Sequence, residues 1–314
     1  MPTPKQTTQS RTRRKSSVAS NLFLVLILLI GLGIMAYPTV SDWWNSFHQS
    51  RAIASYVAQI ENVDDAEVQA IIDAASAYNA KLLQKDNRYA MTDEDIAEYN
   101  SLLDLTGTGV MGYIEIPSIN VNLPIYHGTE ESVLQIAVGH INWTSLPVGG
   151  PSTHAVLSGH RGLPSAKLFT DLDRVVPGDT FTITVLKVKM TYMVDQIRIV
   201  EPVDTSELQI VEGQDYVTLV TCTPYGINTH RMLVRGHRIE TPDAPKEVVV
   251  TVGAVRIPNT LSIPVIGIPL LFLFLMILLV WERVRRGKYT DVDIEKMFEE
   301  NPITADDPKK RRKK

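Results

Sequence analysis

The sequence predicts a mainly β outer domain, a closed barrel or sandwich, preceded by helices and flanked by two transmembrane helices. Two long uncharged apolar runs lie near the ends of the chain, and helical spacing of apolar residues follows the first. From Gly107 onward the texture changes to short apolar runs punctuated by Gly and Pro.

The first uncharged run extends from Lys15 to Asp42, with Leu22–Tyr37 almost wholly apolar. Residues 19–40 suffice to cross about 30 Å of hydrocarbon. No small-x-small cleavage site follows, so an uncleaved anchor is expected rather than a removed signal peptide. The second run lies between Arg256 and Glu282, and residues 257–281 are read as a second span. Arg11, Arg13, Arg14 and Lys15 precede the first run, and Arg283, Arg285, Arg286 and Lys288 follow the second. The positive-inside rule then puts both termini in the cytoplasm and the intervening domain outside.

The chain has 314 residues, 31 Lys+Arg against 35 Asp+Glu, a net charge of −4 and 44% hydrophobic residues. That excludes a disordered, collagenous or small disulfide-stapled protein. Removing the +5 of residues 1–20 and the +3 of residues 281–314 leaves −12 on residues 21–280. An acidic middle does not suit a nucleic-acid-binding core. The terminal Lys309–Lys314 run reads as a solvated tail able to touch anionic lipid.

Within the outer domain, Ile53, Val57 and Ile60, then Val68, Ile71, Ile72, Ala75, Tyr78 and Leu82, recur at three- and four-residue steps. This predicts helix over 50–84, broken near Asn62 and restarted at Asp64 or Asp65. The stripe is expected to pack on the rest of the domain. Residues 85–104 are polar. Beyond them, GYIEIPSINVNLPIYHG, HAVLSGH, TFTITVL, MTYMVDQIRIV, DYVTLVTC and RMLVRGHRI read as strands, several alternating with period two.

Cys222 is the only cysteine. It cannot staple an exported domain by itself, which leaves an inert buried thiol, an intermolecular link or a reactive nucleophile. Alternation puts Thr218, Val220 and Cys222 on one strand face, and Thr223–Thr229 is rich in turn residues. A hairpin centred on Gly226 and Ile227 sets Arg231 opposite Cys222. Arg235 shares the Arg231 face, so periodicity alone leaves both open, and register favours Arg231. A guanidinium beside a thiol favours the thiolate and can hold the oxyanion formed when a carbonyl is attacked.

Acyl transfer to a thiol also needs a proton donor for the leaving amine. The chain offers His48, His127, His140, His154, His160, His230 and His237. His160 follows the strand-like HAVLS and is flanked by Gly159 and Gly162, glycines that allow backbone to pass close to a ligand. His127 and His140, also beside glycines, remain rivals. His230 is expected on the opposite strand face from Arg231. No C-x-x-C or H-x-x-x-H pair appears, so a metal site is not expected.

TLVTCTPYGINTHRMLVRGHR (218–238) and HAVLSGHRGLPSAKLFTDLD (154–173) closely resemble the sortases, and among them the pilin-polymerising class C enzymes of Gram-positive bacteria. GYIEIPSINVNLPIYHGT (112–129) and GHINWTSLPVGGPSTHAVLSGH (139–160) extend the resemblance over roughly residues 107–240. It implies an eight-stranded sortase β-barrel with N-terminal helices, no cofactor, and a nucleophile at Cys222, an acid/base at His160 and an oxyanion-stabilising arginine at Arg231. The implied layout is a cytoplasmic basic segment (1–18), an anchor (19–40), a helical and lid-like region (41–106), the catalytic barrel (107–245), a linker (246–256), a second span (257–281) and a cytoplasmic basic tail (282–314).

The implied activity is cysteine transpeptidation of an LPXTG-like sorting signal, with pilin subunits as partners and a pilin lysine as acceptor. A housekeeping sortase acting on cell-wall precursor, a hydrolytic thiol peptidase and a noncatalytic assembly scaffold are the other readings. One feature departs from class C. The interval KDNRYAMTDEDIAEYN (85–100) lacks the usual Asp-Pro-aromatic lid motif, leaving Asp86 or Tyr89 as a substitute plug.

Overall fold

The computed structural model describes residues 18–241 together with Phe272 and Met276. The linker, most of the second predicted span and both basic termini lie outside the described residues. One helix among the described residues is long and apolar enough to cross a membrane.

That helix, α1 (Val18–Glu61), runs unbroken through the predicted anchor and the first half of the predicted helical stripe, with Pro38 inside it. Composition separates these two stretches, but the backbone does not. Asp64 caps α2 (Asp65–Leu83), its side chain accepting from Ala66 N at 3.2 Å. The polar 85–104 interval contains α3 (Asp93–Ser101), which the sequence reading did not separate. Thr92 and Asp95 form a capping box there, and Asp93, Glu94 and Asp95 occupy the first turn, where carboxylates offset the helix dipole.

Eight strands follow: β1 (Val110–Ile116), β2 (Val121–His127), β3 (Val138–His140), β4 (Thr153–Ser158), β5 (Thr180–Val185), β6 (Val188–Val200), β7 (Asp215–Thr223) and β8 (His230–Ile239). A short α4 (Glu131–Leu134) joins β2 to β3. The strands close into a barrel in the order β1-β2-β3-β4-β7-β8-β6-β5. Closure removes the unpaired edges that an open sheet would expose. β2 with β3 and β4 with β7 are parallel pairs, and the others are antiparallel. At Gly112 of β1, a Cβ would come within 2.4 Å of Thr184 O, so only glycine lets β1 approach β5 this closely.

One continuous core joins barrel and helices. Val68, Ala75, Tyr78 and Leu82 of α2 and Tyr99 of α3 are buried with Ile114, Ile125, Ile183, Leu219 and Val234 of the strands. The helical stripe therefore packs on the barrel, as its periodicity predicts. Polar pins fix the register of that packing. Tyr56 Oη donates to Met111 O and accepts from Leu186 N, both at 2.8 Å, and burial pushes its phenol upward. Asn79 bonds both the carbonyl and the amide of Leu146, at 3.0 and 2.7 Å.

Two buried histidines make the fold acid-sensitive. Desolvation pushes His140 down to about 3 and His154 down to about 4, against the opposing pull of hydrogen bonds to Ser145 and Gln209 carbonyls. Below about pH 6.5 the unfolded chain takes up protons that the native imidazoles refuse, so stability falls as pH drops from about 6.5 towards 4. The slope is on the order of 1.4 kcal/mol per pH unit for each group. Thermal unfolding at pH 7 and pH 5 checks this, and an unchanged midpoint contradicts it.

Candidate active site

Cys222 lies at the penultimate position of β7. Val217 and Leu219 point into the barrel core, and Val220 belongs to a second apolar cluster on the opposite face. Alternation puts Cys222 on that second face. The thiol is free and its residue half-buried.

Strands on both sides of β7 bring the other two predicted residues to this end. In the antiparallel β7–β8 ladder, Cys222 pairs with Arg231 and Thr223 with His230. The hairpin register read from sequence is therefore the register observed. Gly226 and Asn228 take left-handed backbone (φ 73 and 63) in the turn, and Asn228 N donates to Pro224 O at 3.0 Å. On the other side β4 runs parallel to β7, with Ser158 paired to Val220. The pairing continues past the end of β4, since Gly159 N donates to Val220 O at 3.0 Å and Thr221 Oγ1 to Gly159 O at 2.7 Å. His160 and Cys222 each lie two residues beyond the paired Ser158 and Val220. The register thus pairs Cys222 with Arg231, and His160 follows the end of β4 on the other side of β7.

The surroundings separate these residues from their rivals. His160 is half-buried, and its Nε2 has no hydrogen-bond partner among the described residues; the Glu131 carboxylate lies 3.7 Å away. The other predicted imidazoles are engaged. His127 contacts Gly109 O at 3.1 Å and Leu102 O at 2.7 Å. His140, fully buried, lies between Tyr99 Oη at 2.9 Å and Ser145 O at 2.8 Å. His154 lies between Gln209 O at 2.8 Å and Thr218 Oγ1 at 2.7 Å. His230 is exposed beside Thr229.

The two arginines divide in the same way. Arg235 makes a two-pronged pair with Asp195 at 3.0 and 3.1 Å and lies 4.3 Å over the Tyr216 ring. Arg231 makes no ion pair among the described residues. Its Nη1 donates to Asn228 O at 3.3 Å and His230 O at 3.2 Å. A guanidinium with five donors keeps spare capacity there for an incoming oxyanion.

Gly159 and Gly162 make room for the protein's own aromatic rings. A Cβ on Gly159 would meet the Phe169 ring at 2.7 Å, and one on Gly162 would meet Tyr225 at 3.0 Å. The close approach of these rings holds the His160 loop against its neighbours. Arg161, which sequence reasoning passed over, secures the same loop. It donates to Thr223 Oγ1 at 3.3 Å, pairs with Asp173 and lies 5.9 Å over Tyr225. Its position beside His160 was the available signal.

Val156, Leu208, Val220 and Leu233, flanked by the partly buried Ile141, Trp143 and Val200, form a small buried apolar cluster on the Cys222 face of β7. The 85–92 segment is laid against the Trp143 part of it. Tyr89 packs on Trp143 with ring centroids 4.8 Å apart, and its hydroxyl accepts from Gln209 Nε2 at 2.6 Å. Arg88 donates to Leu208 O at 2.9 Å. Tyr89 and Asp86 are both exposed, and of the two Tyr89 makes the contacts with Trp143 and Gln209. No group of three or more His, Cys, Asp or Glu able to hold a metal occurs among the described residues.

The sortase domain family profile matches residues 114–239. Sortase D of Bacillus subtilis is 30% identical over 131 residues, 41% of this chain and 63% of that protein, so the match spans just under two thirds of that relative. Sortase A of Bacillus anthracis is 30% identical over 148 residues, 47% of this chain and 68% of that protein. The crystal structure of sortase C1 from Streptococcus agalactiae superposes with a TM-score of 0.60 at 52% identity, covering 61% of this chain and 100% of that one. Sortase C of Clostridium perfringens, solved with the C-terminal cell wall sorting motif, gives 0.54 at 46% identity, covering 61% and 99%. With a free thiol on a closed eight-stranded barrel and relatives of this similarity, the chain belongs to the sortase family of cysteine transpeptidases, and its structural relatives are class C sortases.

Proposed function

We propose that the protein is a membrane-anchored pilin polymerase that uses Cys222, His160 and Arg231. The Cys222 thiolate attacks the Thr–Gly carbonyl of an LPXTG-like sorting signal, and Arg231 holds the oxyanion. Protonated His160 gives its proton to the departing glycine amine, leaving a thioester on Cys222. A pilin lysine amine then attacks the thioester, its proton passes to His160, the C–S bond breaks to release the Cys222 thiolate, and an isopeptide bond joins the subunits. The observation that supports this reading is the register pairing Arg231 with Cys222, with His160 leaving the end of the neighbouring strand β4. The class C relatives favour a pilin lysine over cell-wall precursor as acceptor. Anchoring follows from the exposed apolar half of α1, and two-pass topology with cytoplasmic termini from the flanking basic clusters.

Incubating the full chain in detergent with candidate pilins, followed by mass spectrometry, tests the reading. The expected result is an acyl-enzyme mass on Cys222 and lysine-joined pilin peptides. Joining only to peptidoglycan-type amines would replace it with a housekeeping role, and release only to water with a peptidase. Unchanged pilus assembly with Cys222→Ala would leave a scaffold.

Tyr89 and Arg88 lie against Trp143 and Leu208 on the Cys222 face, beside the path that the sorting signal would take. Replacing both by alanine removes contacts worth on the order of 1 kcal/mol, and kcat/KM for a free LPXTG peptide is expected to rise about fivefold. An unchanged value would mean the segment does not compete with substrate.

A further inference from the structure

Arg161 touches each stretch of chain that delivers one of the three site residues. It directly follows His160. Its Nη1 donates to Thr223 Oγ1 at 3.3 Å, one residue past Cys222, and its guanidinium lies 5.9 Å over the ring of Tyr225, in the turn that leads to Arg231. Asp173 pairs with Nη2 and holds the other prong of the fork. The side chain is only 9% exposed, and its Nε is buried with no hydrogen-bond partner among the described residues. A buried donor left unpaired costs stability. An arginine that served only its ion pair with the exposed Asp173 would avoid that cost by swinging into solvent, so its contacts to Thr223 and Tyr225 are what retain it.

The backbone leaves this join open. The β4–β7 ladder ends at Ser158 and Val220, and it is extended only by Gly159 N donating to Val220 O at 3.0 Å and Thr221 Oγ1 donating to Gly159 O at 2.7 Å. The His160 carbonyl accepts instead from Phe169 N at 3.1 Å, within its own loop. From His160 through Asp171, the bond to Thr223 is the only hydrogen bond among the described residues that reaches the stretch from Cys222 to Arg231. Shape supports the same join, since a Cβ on Gly162 would meet the Tyr225 ring at 3.0 Å.

We propose that Arg161 is a positioning residue that braces the loop carrying His160 against the end of β7, fixing the spacing between proton donor and nucleophile. Its part in the reaction rests on the transpeptidase reading, whereas the brace itself does not. Without the brace, Cys222 and Arg231 keep their β7–β8 pairing and His160 loses its tie to them. The step that suffers is departure of the amine, which needs a proton delivered in place, and a misplacement of about 1 Å costs up to about 10²-fold.

The test compares the full chain in detergent with its Thr223→Val, Thr223→Ser and Arg161→Ala variants, on an LPXTG peptide and on the matching LPXT aryl thioester. Valine keeps the shape of threonine but accepts no hydrogen bond, whereas serine keeps the acceptor. Acylation of Cys222 is read in single turnovers, so that the second half of the reaction does not enter. Acylation by the peptide should be at least about tenfold slower with Thr223→Val and with Arg161→Ala, and Thr223→Ser should recover most of the rate. Acylation by the thioester should stay within about threefold throughout, because an arylthiolate leaves without a proton. Equal slowing on both substrates, no slowing on the peptide, or a serine variant as slow as the valine one overturns the proposal.

The brace is also read without turnover. Cys222 is the only cysteine, so His160→Cys gives a chain with a single pair of thiols. A short bis-methanethiosulfonate reagent should join them at least about threefold faster with Thr223 in place than with Thr223→Val, and equal rates refute the brace. An unaltered chain that fails to cleave the peptide discards the transpeptidase reading instead, and the crosslinking comparison still decides the brace.

Discussion

Cys222→Ala is expected to abolish transfer, lowering the rate by at least about 10⁴-fold, because no other group supplies the covalent intermediate. The acyl-enzyme mass should vanish with it. The residue is half-buried and its thiol free, so the melting temperature should move by only a degree or two. His160→Ala should cost about 10²- to 10⁴-fold, since the leaving amine then departs without a positioned proton. Its Nε2 has no partner among the described residues, so little native bonding is lost with it. A tenth of the normal rate surviving in the cysteine variant would remove Cys222 as nucleophile.

The second large effect is a contrast between two arginines on one strand face. Arg231→Ala should lower kcat about 10²- to 10³-fold, the usual cost of removing an oxyanion donor, with the fold intact. Arg231→Lys keeps the charge but loses the planar fork, and should recover only part of that rate. Arg235→Ala should behave oppositely. It breaks the paired bonds to Asp195 and uncovers Tyr216, lowering the melting temperature by several degrees while kcat/KM stays within about threefold. Kinetics and thermal unfolding on the same two proteins read both effects. An Arg235 variant that lost transfer while Arg231→Ala kept it would reverse the assignment.

The legible parts of the fold are those encoded by near neighbours in the chain. Alternation along Tyr216–Cys222 marked a strand, and its distance from Gly226 and Ile227 gave the Cys222–Arg231 register without any knowledge of the barrel. The helix break near Asn62 was legible for the same reason, since Asp64 caps locally. α3 was missed because its first turn is three acids, which composition reads as a polar loop and only cap geometry reads as a helix start. The continuity of α1 through residues 41–49 was missed because the change from apolar to charged composition looks like a boundary.

Within the candidate site, the chain alone supplied the candidate residues and the pairing across one hairpin, because a two-residue repeat and a tight turn determine that pairing. It left several histidines and a second arginine open. Those were sorted by partners from distant segments: Asp195 of β6 engaging Arg235, Tyr99 and Ser145 enclosing His140, and the parallel β4–β7 pairing whose end precedes His160 and Cys222 by two residues each. Such choices belong to tertiary structure. Whether a polar group is committed or free depends on which remote donor or acceptor reaches it after the core has formed, and residue spacing carries no record of that meeting.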